Sequence, residues 1–401
     1  MTGPRSTPLK AQFPAFRGRE LHYLDSAATA QMPQVVIDAV TEYDTRYRAN
    51  VHGEVHHLAC QAITAYSDAR ASIGRLLNAR APKEIVFTYG ATSAINLLAT
   101  TLGEQIGKGD EIVLSGLEHH SNLLPWQRMA RQRGAVLKFL EVTDDGRIDG
   151  ATIDQVVTSR CKLIAVTQCS NVTGAVTEVE PLVRAARSVG ARIMLDGAQA
   201  IPHMPVDLQR LGIDFYAFSG HKLFGPTGIG VLWGRQELLA ELGPFMVGGQ
   251  MTATATLTSA TYTEPPQRFE AGTPPIAAAI GLGAAAEWVA AQDWAAIMAQ
   301  EQRLTKRILE KLSSIRAVRV IGPTDVARRV GVVSFVTALI DPMALCRVLD
   351  DRGVAVRYGN HCAQPLLNRM GVDGAVRASL APYVDDADID VLLETLEHTL
   401  H

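Results

Sequence analysis

The sequence has little of several features that would direct it to a particular class of protein. Its five cysteines are far apart and form no Cys-x-x-Cys pair, so they indicate neither a zinc site nor a disulfide framework. An odd number of thiols in a reducing compartment predicts free cysteines. We expect four of the five to be small buried side chains, the usual state of a free cysteine. The cysteines are Cys60, Cys161, Cys169, Cys346 and Cys362.

Charge of one sign and long apolar runs are also scarce. Lysine and arginine total 38 against 41 aspartates and glutamates, a formal net charge of -3. No basic block is present that would follow a phosphate backbone, so nucleic acid is not expected as a partner. No stretch approaches the length of a membrane span, and residues 1–18 lack the apolar run of a signal peptide. We expect a cytoplasmic protein with no membrane partner.

Two polar segments, Asp196 to Gln199 (DGAQ) and Ser219 to Lys222 (SGHK), follow apolar runs that read as strands. A lysine behind a tight turn, with a carboxylate upstream, is what holding an aldehyde cofactor as a Schiff base requires. Lys222 supplies the amine, Asp196 pairs with a pyridine nitrogen, and Gln199 reaches the ring's phenolate oxygen. A single lysine or aspartate is usually a surface residue. Together at two successive strand ends, these residues predict bound pyridoxal 5'-phosphate.

The first two thirds of the chain alternate short apolar runs with helical patterns. This alternation predicts a parallel sheet covered on both faces, with ligands at the carboxyl ends of its strands. After Thr273 the pattern changes to Ala-rich helices, which indicates a second α+β domain. Residues 253–263, rich in threonine and alanine, are expected to be irregular. The expected strands are Glu84 to Thr88, Glu111 to Ser115, Leu163 to Thr167, Arg192 to Leu195, Phe215 to Phe218 and Gly230 to Trp233.

Four motifs closely resemble those of the group II cysteine desulfurases, the SufS and CsdA type of fold type I pyridoxal-phosphate enzymes. The resemblance runs from about Phe13 to the C-terminus. It implies an α/β transferase fold with a mainly parallel seven-stranded sheet in a large domain, residues 20–280. A smaller α+β domain, residues 1–19 and 281–401, would carry the catalytic cysteine loop. The motifs are Tyr216 to Gly230 (YAFSGHKLFGPTGIG), Asp196 to Gln199 (DGAQ), Glu118 to Asn122 (EHHSN) and Gly359 to Pro365 (GNHCAQP).

The cofactor phosphate needs donors at a helix N-terminus, where free N–H groups and the helix dipole favour an anion. The turn that contains Ala91 and Thr92 matches the phosphate turn of the family. The resemblance implies that Ser219 and His221 complete the phosphate shell. It also implies that Thr273 of an Ala-Gly-Thr-Pro segment reaches the cofactor from a partner subunit, and therefore a homodimer with shared active sites.

Other site residues are implied by the same resemblance. His119 matches the histidine that stacks on the cofactor ring, although a lone histidine at a strand end more often makes a backbone hydrogen bond. Asn171 matches a residue that contacts the cofactor or the substrate carboxylate. Arg377 matches the arginine that binds this carboxylate, a task suited to a planar guanidinium, and Arg357 approaches the same site. His52 aligns with a substrate-side histidine.

The resemblance implies conversion of L-cysteine to L-alanine as the activity, by the following expected steps. The Cys362 thiolate attacks the substrate sulfur and keeps it as a persulfide, because a neutral thiol is a poor nucleophile. His361 and the nearby arginines would favour ionisation of Cys362. The persulfide then passes to an acceptor protein resembling SufE, CsdE or SufU.

Departures from the family pattern leave alternative functions open. Gly53, Tyr89 and Ser93 stand where many members have two arginines and a glutamate, which puts the network near the dimer interface in doubt. Selenocysteine lyase uses the same scaffold and the same first steps. A carbon–carbon hydrolase or epimerase of the same fold needs no loop cysteine. A cofactor-bearing scaffold that binds a sulfur carrier with little turnover would not need Cys362 either.

Overall fold

A computed structural model describes residues 9–53 and 55–400 of the chain. No helix within these ranges is both long enough and apolar enough to cross a membrane. In chain order the strands are β1 (His22–Tyr23), β2 (Ile85–Thr88), β3 (Glu111–Ser115), β4 (Val136–Leu140), β5 (Cys161–Thr167), β6 (Arg192–Asp196), β7 (Phe215–Ser219), β8 (Gly230–Gly234), β9 (Thr252–Ala255), β10 (Ala260–Tyr262), β11 (Val318–Ile321), β12 (Val332–Thr337), β13 (Val354–Ala355), β14 (Arg357–Gly359) and β15 (Ala375–Ser379). The helices are α1 (Gln34–Arg46), α2 (His57–Leu76), α3 (Ala91–Gly103), α4 (Leu124–Arg133), α5 (Ile153–Val156), α6 (Val179–Ser188), α7 (Leu208–Leu211), α8 (Gln236–Ala240), α9 (Ile276–Ala290), α10 (Trp294–Ser314), α11 (Pro342–Asp350), α12 (Gln364–Arg369) and α13 (Asp386–Leu400).

The larger sheet has seven strands in the order β2-β8-β7-β6-β5-β3-β4. Strand β8 runs antiparallel to β2 and β7, and every other neighbouring pair is parallel. The expected α/β fold with a mainly parallel seven-stranded sheet is therefore confirmed. Because β5, β6 and β7 are parallel neighbours, their carboxyl ends lie together at one edge of the sheet.

Both faces of this sheet are buried, as the near-continuous apolar strands predict. Along β5, Leu163 and Ala165 belong to one hydrophobic cluster, while Ile164 and Val166 belong to another. Successive side chains of a strand point to opposite faces. The sheet thus has a hydrophobic core on each face. Polar side chains that bind a ligand are therefore expected at the ends of the strands.

A second, antiparallel sheet of four strands in the order β11-β12-β15-β14 forms in the C-terminal part. Strand β1 pairs in parallel with β13, so the chain just after residue 20 joins this part. The domain boundary expected after residue 280 falls inside α9, which packs against α1 and α2. The expected small domain also includes residues 1–8, which lie outside the described residues. The domain division therefore stays a prediction.

Two local expectations were wrong. Residues 253–263 are not irregular, because β9 and β10 pair there as an antiparallel hairpin. Their threonine and alanine side chains are mostly exposed, so no apolar pattern marked the strands. Among the cysteines expected to be buried, Cys161 and Cys169 are buried and Cys346 is partly so, but Cys60 is exposed. Cys60 lies on a solvent-facing position of α2.

Candidate active site

A cavity of about 420 Å³ lies between the carboxyl ends of the seven-stranded sheet and the C-terminal part of the chain. It brings together residues that are far apart in sequence. The residues singled out in the sequence as site residues that line it are Ala91, Thr92, His119, Asn171, Asp196, Gln199, Ser219, His221, Lys222, Arg357, His361, Cys362 and Arg377.

A buried acid and a buried amine occupy the floor of the cavity. Asp196 ends β6, and Lys222 closes the turn that follows the neighbouring strand β7. Burial raises the pKa of Asp196. A hydrogen bond from the Ala198 N–H at 3.0 Å and the charge of Lys222 offset this rise only in part. Burial likewise lowers the pKa of Lys222 to about 8. A lysine with this pKa has a much larger neutral fraction near neutral pH than an exposed lysine, which favours a nucleophilic amine.

The N-terminus of α3 forms one end of the cavity. Gly90 precedes this helix with a φ of 132°, a conformation that favours glycine. The Ser219 hydroxyl accepts a hydrogen bond from the Ala91 N–H at 2.8 Å, and the Thr92 and Ser121 hydroxyls lie 2.7 Å apart. Backbone donors, hydroxyls and the helix dipole together make this end suitable for a phosphate.

Two histidines of the cavity are held in the neutral form. Burial, followed by the charge of Lys222, lowers the pKa of His119 to about 3 and that of His221 to about 4. Nδ1 of His119 accepts the Ser121 N–H at 3.1 Å, and Nδ1 of His221 lies 2.9 Å from the Thr29 hydroxyl. Both imidazoles therefore act as hydrogen-bonding groups rather than as cations.

Arg377 and Asn171 form one wall of the cavity. Nη1 of Arg377 donates to the Asn171 carbonyl oxygen at 3.0 Å, and the arginine side chain is 3% exposed. The Asn171 side-chain amide donates to the His361 carbonyl oxygen at 2.8 Å. Asn171 thus connects the arginine to the loop that carries the cysteine.

Cys362 lies in a strained turn after β14. His361 has a φ of 49° and Cys362 a φ of 54°, two consecutive left-handed residues that are not glycine. The Asn360 side-chain oxygen accepts the Cys362 N–H at 3.0 Å, and the His120 N–H donates to the Cys362 carbonyl oxygen at 2.7 Å. The thiol is exposed at the cavity wall, as expected.

The charge expected from His361 beside Cys362 is absent. Burial, with a smaller effect of the nearby Arg377, lowers the pKa of His361 to about 3. Its Nε2 lies 2.9 Å from the Ala375 carbonyl oxygen, which can only accept, so Nε2 carries the hydrogen. Positive charge near the thiol comes instead from Arg357 and Arg377, which also line the cavity. Burial lowers the pKa of Arg377 to about 10, so this guanidinium stays charged near neutral pH.

Two expected site residues lie outside this cavity. Thr273 accepts a hydrogen bond at 3.5 Å from the side chain of Asn50. Burial lowers the pKa of His52, and the charge of Glu270 opposes this change. Thr273 was assigned to the cavity of a partner subunit, and this assignment stays a prediction.

The residues of the cavity fit pyridoxal 5'-phosphate. A buried amine and a buried carboxylate stand where an aldehyde and a pyridine nitrogen would be held, and α3 offers an anion site. Three buried polar atoms of cavity residues have no hydrogen-bond partner in the described part of the chain: Gln199 Oε1, His361 Nδ1 and Arg377 Nε. Gln199 Nε2 is bonded to the Ala27 carbonyl oxygen at 2.7 Å. Because unpaired buried polar atoms are costly, a ligand that forms hydrogen bonds with these atoms would be stabilised in the cavity.

One residue next to the site gave no signal in the sequence. Asp25, in the segment Leu24-Asp25-Ser26, is buried and bonds both Arg357 and Arg377. Its arginine partners come more than 300 residues later, so no local pattern marked it.

Comparison with known proteins places the chain among enzymes. The aminotransferase class-V family matches residues 22–392. A probable cysteine desulfurase from Streptomyces coelicolor is 45% identical over 386 residues, covering 95% of this chain and 92% of that protein. A cysteine desulfurase from Dickeya dadantii is 43% identical over 399 residues, covering 98% and 96%. The crystal structure of the cysteine desulfurase CsdA from Escherichia coli, in an S-sulfonic acid form, superposes with a TM-score of 0.91 at 38% identity, covering 98% of this chain and 97% of that one.

Proposed function

The chain belongs to the aminotransferase class-V family, and within it to the cysteine desulfurases; from this membership we propose that it converts L-cysteine to L-alanine and keeps the sulfur on Cys362. The observation that carries the proposal is the exposed Cys362 thiol in the wall of a cavity whose floor holds Lys222 and Asp196. A protein that only bound a sulfur carrier would need neither the buried amine nor the thiol.

Enzymes of this family depend on pyridoxal 5'-phosphate. In this chain Lys222 would hold the aldehyde carbon, Asp196 the pyridine nitrogen, and His119 the ring face. When bound, the cofactor supplies a sink for the electrons that leave the α-carbon of an amino acid. Ala91, Thr92, Ser219 and His221 would hold its phosphate, and Gln199 and Asn171 its remaining polar edge.

The substrate carboxylate would bind the arginine wall. Arg377 is buried and retains an unpaired Nε donor, so an incoming carboxylate satisfies a group that the protein leaves unpaired. Arg357 lies beside it on the neighbouring strand. Lys222 is the group that would move the α-proton, because burial lowers the pKa of its amine to about 8.

The sulfur transfer then takes place at Cys362. Its Sγ forms a bond to the substrate sulfur as the carbon–sulfur bond of the substrate breaks. The electron pair of the broken bond stays with the carbon, which gains a proton and leaves as L-alanine. Cys362 is left as a persulfide, so the substrate sulfur is oxidised and the substrate carbon is reduced, with no further reagent needed.

Partners follow from this chemistry. A persulfide must be unloaded, so we propose a small acceptor protein of the SufE, CsdE or SufU kind. We also propose a homodimer in which Thr273 of each subunit completes the other subunit's site, and His52 stays a predicted substrate-side histidine. The position of Thr273 outside the cavity of its own chain supports this arrangement. Residence in the cytoplasm stays a prediction.

The test is an alanine assay on the holoenzyme with L-cysteine. Wild-type protein should release alanine, and Cys362→Ser should reduce that release to background while the cofactor stays bound. Cys60→Ser is the matched control, because it removes the other exposed thiol from a site far along the chain on α2. Full turnover by Cys362→Ser, or loss of turnover in both variants, would refute the proposal.

A further inference from the structure

Arg357 and Arg377 lie directly opposite each other on the antiparallel strands β14 and β15. Like charges at directly opposed positions of such a pair repel each other and destabilise it. Arg377 cannot escape the repulsion, since its side chain is 3% exposed, whereas that of Arg357 is 51% exposed. The pair therefore needs a counter-charge if both guanidinium groups are to stay at the cavity.

Asp25 supplies this counter-charge. It follows β1, and its backbone forms a parallel bridge to Ser379 at the end of β15, which fixes where its side chain starts. Its carboxylate accepts three hydrogen bonds from Arg357, two from Nε at 3.1 and 3.0 Å and one from Nη2 at 2.8 Å. It also accepts one from Nη2 of Arg377 at 3.4 Å.

The bonds of Arg357 and Arg377 are unequal in a way that points to their roles. Within the described part of the chain, every side-chain hydrogen bond of Arg357 goes to Asp25. Arg377 has a second anchor, the Asn171 carbonyl oxygen, and keeps Nε free. Asp25 itself is buried and is not among the described residues that line the cavity. It acts on the cavity through the arginines rather than by contact with a ligand.

We propose that Asp25 is a positioning residue for substrate binding, which holds Arg357 beside Arg377 at the cavity wall. Two guanidinium charges and one carboxylate leave a single positive charge, which matches the single carboxylate of an amino-acid substrate. Without Asp25, repulsion from Arg377 drives Arg357 toward solvent and half of the carboxylate site is lost. The inference rests on the proposed function, in which a substrate carboxylate binds these arginines.

The experiment is steady-state kinetics of alanine release by holoenzyme carrying Asp25→Ala, Arg357→Ala or both. A charge-assisted hydrogen bond lost from the substrate corresponds to about a 10- to 100-fold rise in KM, which we expect for each single variant. The kcat should change by less than about threefold, because the interaction is made equally in ground state and transition state. The double variant should have the KM of Arg357→Ala alone, because Asp25 acts through that residue.

Asp214→Ala is the matched control. Asp214 is also a buried carboxylate between two arginines, Arg187 at 2.7 Å and Arg235 at 3.4 Å. It precedes β7 and so lies at the end of the sheet opposite the cavity. The variant should lower thermal stability and leave KM unchanged, which separates the loss of a buried ion pair from the loss of substrate positioning.

An unchanged KM in Asp25→Ala, or KM effects that multiply in the double variant, would overturn the inference. If Asp25→Ala does not fold, Asp25→Asn decides by the same criteria, since it keeps the size of the side chain and removes the charge. A wild-type enzyme that releases no alanine would refute the proposed function instead. An active wild type with unaltered KM in the Asp25 variants would refute only the role of Asp25.

Discussion

The backbone N–H of His120 donates a hydrogen bond to the carbonyl oxygen of Cys362, with 2.7 Å between nitrogen and oxygen. This bond joins the histidine motif at the sheet to the cysteine loop of the C-terminal part. It holds the loop at its strained point, where two successive residues have left-handed backbone angles. Hydrogen bonds to the loop backbone therefore help to set the position of the Cys362 thiol.

Asn360→Ala should impair sulfur transfer without impairing substrate binding. The variant removes the side-chain oxygen that accepts the Cys362 N–H at 3.0 Å, and left-handed residues need such support. Loss of one hydrogen bond of about 1 kcal/mol predicts a fall in kcat of about fivefold. The KM for L-cysteine should stay within about twofold, because the arginine wall is untouched. Asn360→Ser keeps an acceptor oxygen without adding charge and should restore part of kcat; a raised KM with normal kcat would contradict the explanation.

The pH dependence of cofactor attachment should follow Lys222. Burial lowers the pKa of its amine to about 8 in the cofactor-free protein. Below that pH the amine is protonated and cannot attack an aldehyde, so the attachment rate should rise with pH and level off above about 8. The rate is measured by borohydride trapping of the apo protein with added cofactor, followed by mass spectrometry of the Lys222 peptide. A midpoint near 10, as for an exposed lysine, would contradict burial of the amine.

His119 should remain neutral under mildly acidic conditions. Burial lowers its pKa to about 3, and the Ser121 N–H occupies Nδ1, which places the hydrogen on Nε2. Nitrogen NMR of protein with labelled histidine, compared with His119→Gln to assign the signal, should show this tautomer unchanged at about pH 5, well above that pKa. A His119 signal that titrates near the ordinary histidine value of about 6.5 would refute the buried, neutral assignment.

Gly197→Ala, which follows Asp196 at the floor of the cavity, should strongly destabilise the folded protein. A Cβ at Gly197 would lie 2.0 Å from Oη of Tyr216, whose ring is fully buried. Overpacking of this severity costs about 3 kcal/mol of the free energy of unfolding, measured by urea denaturation. Gly150→Ala is the control, because nothing lies within 4 Å of its added Cβ. A loss below about 0.5 kcal/mol in Gly197→Ala, the range of neutral surface changes, would show that the tyrosine moves freely.

The parts of the fold that the sequence predicted are those whose side chains form continuous buried runs. Strand β3 was expected at its observed bounds, because all of its residues are buried. Strand β4 was missed, since it is the edge of the sheet and its Val136 and Phe139 are 41% and 42% exposed. The β9–β10 hairpin was missed for a related reason, because its side chains contribute little to any core.

The candidate site divides in the same way. Lys222, Asp196 and Cys362 stand in motifs, each tied to the end of a strand or to a turn, so local sequence was enough to single them out. Asp25 acts through Arg357 and Arg377, which lie 332 and 352 positions further along the chain. The pairing of β1 with β13 and the bridge from Asp25 to Ser379 bring these distant segments together. The neutrality of His361 also depends on burial that the sequence does not display.

The most direct test of the account is mass spectrometry of the Cys362 peptide after the holoenzyme has reacted once with L-cysteine labelled in its sulfur. The account predicts one labelled sulfur atom on Cys362, in amounts that match the alanine released, and none on Cys60 or Cys346. Alanine released without labelled sulfur on Cys362, or with the label on another cysteine, would contradict it.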